Sequence, residues 1–150
     1  MTEAPAGDLR AQAEQFMALL DDLRVEGTPE ALAIRSDLVA IIEEYRDASD
    51  KEQAKLRLMG RMLEVESKVT ILVSRPVRAL RERLFKEMKR IGRHSQAGKT
   101  MTAMYDALGT VLDALAKLME AIESHDPAIR DRAHELLAQA QKGLAMVGKR

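Results

Sequence analysis

From Met101 to Ile122 the apolar residues step by threes and fours: Met101, Met104, Leu108, Val111, Leu115, Leu118, Ile122. An α-helix brings such positions onto one stripe, whereas a strand would need alternation at every second residue. Nowhere in the 150 residues do apolar and polar residues alternate cleanly over a strand's length. The single β-branched cluster, Val69-Thr70-Ile71-Leu72-Val73, closes a helical pattern instead of standing between turns. Leu, Ala, Glu, Lys, Arg, Met and Gln dominate the remainder, and these residues lose least on entering a helix. An all-α fold follows from this spacing.

The same periodicity divides the rest of the chain. Leu9, Ala13, Phe16, Leu20 and Leu23 predict a first helix ending at Gly27, with Asp8 as N-cap. Thr28-Pro29 restarts a helix, with proline at the first position, where its missing N–H costs nothing. Its stripe is Ala31, Ile34, Leu38, Ile41 and Tyr45. Ser49 through Glu52 reads as a capping box opening a third helix lined by Leu58, Met62, Val65, Val69 and Leu72.

Pro76 interrupts that pattern. Either the helix stops near Val73 and Ser74 caps a new one, or one helix of about forty residues kinks there; a break or strong kink is expected. Val77, Leu80, Leu84, Met88 and Ile91 continue the stripe, and residues 92–100 read as a loop. Asp126-Pro127 opens the last helix, striped by Ile129, Ala133, Leu136, Ala140, Leu144 and Val147. The expectation is an antiparallel bundle of five or six helices with a break or kink near Pro76, a single domain over residues 8–150 and a flexible N-terminus over residues 1–7. The 3-4 seams suit shallow helix crossings within one chain or between two.

Charge sums to zero, 24 Lys+Arg against 24 Asp+Glu, but not evenly along the chain. Residues 1–53 carry 13 acids and 5 bases; residues 75–99 carry 9 bases and 2 acids. The basic segment 75–93 therefore reads as a contact surface for something acidic, and Arg78, Arg81, Lys86, Lys89, Arg90 and Arg93 are the candidate partner-binding residues. An acidic protein surface or a second copy of the chain (a homo-oligomer) is the expected partner. Solvation, with partial neutralisation by the acidic first and second helices, is the alternative for this face. Nucleic acid is the alternative ligand, held down by overall neutrality and by Phe85 being the one aromatic within the basic segment. A membrane-surface helix would want large aromatics on its apolar side.

Composition removes whole classes of chemistry. Zero cysteines exclude a disulfide scaffold, a thiol nucleophile and thiolate zinc sites. The three histidines, His94, His125 and His134, show no metal-ligand spacing, and no Glu-x-x-His motif is present, so neither metal nor cofactor is expected. No nucleophile elbow appears, and a non-enzymatic role is the expectation. Gly92, Gly98, Lys99 and Thr100 imitate a phosphate-binding loop but have five residues between the glycines, where four are required, and a helix where a strand should precede. No run approaches the ~20 apolar residues of a membrane span. The first residues show neither a basic n-region nor an apolar h-region, so no signal peptide and a cytoplasmic location are expected. The nine methionines read as adaptable core filler, or alternatively as a groove for a partner helix.

The stretch His94-Ser95-Gln96-Ala97-Gly98-Lys99 resembles the phosphorylated segment of histidine-phosphotransfer domains, which are four-helix bundles with His, two residues, Lys and Gly in order. His94 and Gly98 keep the spacing, but Ala97 stands at the lysine position and Lys99 follows the glycine. That family places the histidine on an exposed, regular helix. The resemblance covers about seven residues and implies a phospho-acceptor role for His94 through an imidazole nitrogen. Taken together, the sequence points to a helical protein–protein interaction module, an adaptor, chaperone-like or assembly protein.

Overall fold

The computed structural model describes residues 9–23, 27–92 and 94–148. It is all-α: α1 Leu9–Asp22, α2 Pro29–Asp47, α3 Lys51–Ile91, α4 Gln96–Ser124 and α5 Pro127–Gly148. Asp8, the expected first cap, the N-terminus 1–7 and Arg93 lie outside the described residues, as does the Val147 side chain.

Local chemistry sets most boundaries. Thr28 caps α2, its Oγ1 accepting from the Ala31 N–H at 3.2 Å with Pro29 behind it. The third helix starts one residue later than the Ser49–Glu52 box implies: Asp50 is the N-cap and accepts from the Gln53 N–H at 3.1 Å. Residues 92–100 are mostly not a loop. Ser95 caps α4 by accepting from the Gly98 N–H at 3.0 Å, so the connection shrinks to residues 92–95. Gly92 takes φ 85°, a conformation that needs glycine.

Of the break or strong kink expected at Pro76, the break is absent: α3 runs as one helix of 41 residues with Pro76 inside it. A proline inside a helix costs about 3 kcal/mol through its lost donor and the clash with the preceding turn. Val69, Val73 and Val77 are each fully buried around it, and burying one such side chain contributes about 1.5–3 kcal/mol. Packing on both sides of Pro76 therefore outweighs its local cost. The Ser74 hydroxyl also donates to the Thr70 carbonyl at 2.6 Å, closing the preceding turn. The described residues form five helices.

Sequential helices run antiparallel. α1 packs on α2, α3 and α5, and α4 packs on α3 and α5. The helices α1, α3, α4 and α5 thus form a ring around the core, with α2 laid against the outside of α1 and α3. Phe16, Leu58, Met62, Leu108, Leu115, Leu118 and Leu137 fill its centre. Ion pairs Asp37–Lys68 and Glu44–Arg61 mark the register of α2 on α3 and put Pro29 level with Pro76. Residues 77–91 of α3 run on past α2 for about 22 Å, paired with the first half of α4.

Candidate functional site

Two polar features stand out, one expected from the sequence and one not. The expected one is the extension of α3 beyond Pro76. It bears Arg78, Arg81, Arg83, Lys86, Lys89 and Arg90 against Glu82 and Glu87. The acidic α2 stops level with its base, so the neutralisation by α1 and α2 anticipated above does not occur through ion pairing: among the described residues, no ion pair joins residues 77–91 to either helix. Within this stretch Arg90 is bridged to Glu87 at 2.8 Å. Arg78, Arg83, Lys86 and Lys89 face solvent.

Arg81 is built differently from its neighbours. Its Nε donates to the Tyr105 carbonyl at 3.1 Å, and the guanidinium lies over the Tyr105 ring at 3.9 Å. Gly109 makes room for it, since a Cβ there would sit 2.6 Å from Arg81 Nη2. Arg81 therefore ties α3 to α4 as well as contributing charge. Phe85 meets Tyr105 with ring centroids 6.0 Å apart, and Lys89 Nζ sits 4.7 Å above Phe85. Cations already cover these ring faces, which leaves little open surface for base stacking. Arg78, Arg81, Glu82, Phe85, Tyr105 and Leu112 line a shallow cleft of about 250 Å³. His94 is exposed in the α3–α4 turn, not on a regular helix.

The unexpected feature lies at the centre of the ring. Glu66 on α3 is fully buried and receives Arg130 from α5 at both carboxylate oxygens, Nη2 to Oε1 at 2.5 Å and Nε to Oε2 at 3.1 Å. Arg130 Nη2 also donates to Gln12 Oε1 on α1 at 2.6 Å. His134, equally buried, sits one turn along α5 with Nε2 3.0 Å from Glu66 Oε1 and Nδ1 2.8 Å from Gln15 Oε1. α5 thus supplies both partners of the α3 carboxylate, and α1 joins the network through Gln12 and Gln15.

Gln15 determines where a proton must be. Its Nε2 donates to the His134 main-chain carbonyl at 3.1 Å, leaving Oε1 to accept from Nδ1. The other ring nitrogen, Nε2, faces Glu66 Oε1, so the imidazole bridges Gln15 and Glu66. Burial pushes the Glu66 carboxyl up, but hydrogen bonds from His134 and Arg130 outweigh it and hold the group below its ordinary value. Phe16 closes the cluster edge-on to the imidazole at 5.4 Å. The Gln12 Nε2 is buried with no hydrogen-bond partner among the described residues.

This cluster corrects the apolar stripe expected for the last helix. Ala133, Leu137 and Ala140 are buried together with Arg130 and His134, while Ile129 and Leu136 are only half-buried. The inward face is rotated so that Arg130 and His134 reach Glu66. One signal was available in sequence: Glu66 stands four residues after Met62 and three before Val69, a carboxylate among stripe positions. Gln12 and Gln15, beside Ala13 and Phe16, gave none.

The described residues hold no group of three or more His, Cys, Asp or Glu placed to bind a metal ion, and no helix among them is long and apolar enough to cross a membrane. His125, the third histidine, ends α4 in a left-handed turn at φ 56°. No family model matches the chain, no curated protein matches it in sequence, and no solved structure matches it in fold.

Proposed function

We propose that the protein is a non-enzymatic helical interaction module that engages an acidic protein surface through the α3–α4 extension. The observation carrying this reading is the one at the end of α3: four solvent-facing bases, Arg78, Arg83, Lys86 and Lys89, stand beyond the reach of the acidic α2. Arg81 and Tyr105 stiffen the hairpin beneath them, which lowers the ordering cost of binding. Adaptor, chaperone-like and assembly roles all use such a surface, and a soluble cytoplasmic setting suits it. Arg90 contributes from within its pair with Glu87, and Arg93 continues the basic sequence. Nucleic acid is the second reading for the same charges, and phosphotransfer through His94 is the third.

A fluorescent Glu-rich helical peptide and labelled duplex DNA and RNA, titrated into wild type and into an R78Q/K86Q/K89Q variant, separate these readings. The proposal expects peptide binding that weakens in salt and falls at least tenfold in the variant. Preferential binding of nucleic acid with a steep salt slope would move the function to the second reading. Equal peptide binding by both proteins would overturn the assignment of this face. A phosphodonor incubation followed by intact mass tests His94; a mass gain lost in H94Q would establish the third reading.

A further inference from the structure

Seven-residue steps carry Ile71 to Arg78 to Phe85, and Arg75 to Glu82 to Lys89. Interleaved, the six positions step by fours and threes, the spacing of the buried seams, and share an arc of about 80° on α3. This second stripe points outward. Ile71 is 70% exposed, Arg75, Arg78, Glu82 and Lys89 are exposed, and Phe85 is half-buried. Lys68 ties α3 to α2 on one side of the stripe, and Arg81 ties it to α4 on the other.

The make-up of the stripe decides what fits it. At its middle Arg75 and Arg78 are neighbours one turn apart, both without an ion pair among the described residues. Beside Arg78 opens the cleft of about 250 Å³ whose walls include Phe85, Tyr105 and Leu112. Ile71 and this cleft are therefore two apolar contacts with cations between them. Glu82 is the one carboxylate on the stripe. A second copy laid along the stripe would offer one carboxylate for three bases. A nucleic-acid backbone would meet the bases but face Glu82 and leave Ile71 in water. A helix matches the four-three spacing, and charges at such positions select its sequence.

We propose that this stripe docks an amphipathic helix of another protein. Carboxylates of that helix stand opposite Arg75 and Arg78, one apolar side chain covers Ile71, and a second sits in the cleft against Phe85 and Leu112. The proposal rests on the reading of the basic end as a contact surface for an acidic protein, and narrows it to one face and a helical partner. Arg83 and Lys86 lie about 140° and about 80° round the helix from Arg78, outside the contact.

A fluorescein-labelled helical peptide of about 18 residues tests this, matching the roughly 27 Å from Ile71 to Lys89. It carries leucines at the two apolar contacts, glutamates opposite the arginines and a lysine opposite Glu82, and is made in both chain directions. Anisotropy with the full chain is expected to show saturable binding of one direction. I71S and R75Q/R78Q each weaken it at least about tenfold, as does serine for leucine in the peptide. R83Q/K86Q removes the same charge off the stripe and weakens it less than about threefold. Helical circular dichroism is unchanged throughout, since every substituted side chain is exposed. Equal weakening by the two charge variants, or indifference to I71S, overturns the stripe and leaves the broader reading standing. So does binding of the plain Glu-rich peptide without the leucine-bearing one; failure of both peptides overturns both readings. Self-association of the full chain that I71S abolishes would put a second copy on the stripe and likewise overturn the proposal.

Discussion

Replacing Arg130 by methionine is the most informative perturbation of the interior. The substitution keeps an unbranched apolar stem on α5 but removes two hydrogen bonds to Glu66 and one to Gln12. The Glu66 side chain is fully buried and that of Arg130 is only 10% exposed, so solvent does little to screen the loss. Removing one member of a buried ion pair costs about 3–5 kcal/mol, because the abandoned charge stays desolvated. A domain of this kind has about 5–15 kcal/mol in total, so R130M removes a large share. At about 2–4 °C per kcal/mol for a chain near this size, the melting temperature falls by roughly 6–20 °C. Urea unfolding followed by circular dichroism measures the change directly. The double variant E66Q/R130M is expected to recover at least about 1 kcal/mol of the loss, since no charge is then stranded. A cost below about 1 kcal/mol for R130M, or an additive double variant, would refute the argument that Glu66 depends on Arg130.

Three further outcomes follow from the same structure. The folded-state Glu66 carboxyl lies below its ordinary value of 4.5. Its contribution is therefore fully present above that pH, begins to be lost below it, and is gone once pH has fallen through the folded-state pKa; urea midpoints measured from pH 7 down to pH 3 show this fall, and E66Q flattens it. Gly60 sits mid-helix on an exposed position with nothing within 4 Å of a Cβ, so G60A raises stability by about 0.5–1 kcal/mol in the same unfolding assay; a loss would mean that this face is packed. P76A restores a donor to α3 and is expected to stabilise by up to about 3 kcal/mol, with hydrogen exchange slowing most in residues 70–80; an unchanged exchange pattern would show that Pro76 is not a weak point.

What the sequence showed and hid follows from the range of each interaction. Periodicity is local, so the seams through Leu58, Met62 and Val69 and through Leu108, Leu115 and Leu118 were legible, and so was the Thr28-Pro29 start. The continuity of α3 through Pro76 was not, because it depends on Val73 and Val77 meeting partners far away in sequence. The Ser95 cap was masked by a glycine-rich stretch that looked like a loop. The basic segment was visible as composition, but whether α2 reached it required the register marked by Asp37–Lys68 and Glu44–Arg61. The buried cluster was least legible of all. Glu66 and Arg130 are 64 residues apart and Gln12 and Arg130 are 118 apart. No window along the chain contains them.

The buried cluster also bears on the exposed charges. The ion pairs that hold α2 on α3 are half exposed, and such pairs are worth about 0–1 kcal/mol each. They resist sliding only weakly. α1 is held otherwise: Gln12 and Gln15 enter the Glu66 network, and Gln141 on α5 donates to the Gln15 carbonyl at 3.1 Å. Moving α1 by one turn would carry both glutamines about 5.4 Å away, leaving Arg130 and His134 short of acceptors in a water-free interior. Buried polar groups left unpaired cost about 1–3 kcal/mol each, so that register is strongly disfavoured where an all-leucine seam would tolerate it. α2 follows α1 through a short connection and is bridged to it by Asp21–Arg35 at 3.4 Å. The acidic helices are thus kept level with residues 51–76 by contacts at the core, not by their own surface pairs. A slip toward residues 77–91 would set carboxylates beside Arg78 and Lys86 and cancel the basic end. The separation between the acidic α2 and the basic end of α3 therefore rests on the buried Glu66 network together with Ile34, Leu38 and Ile41 of α2.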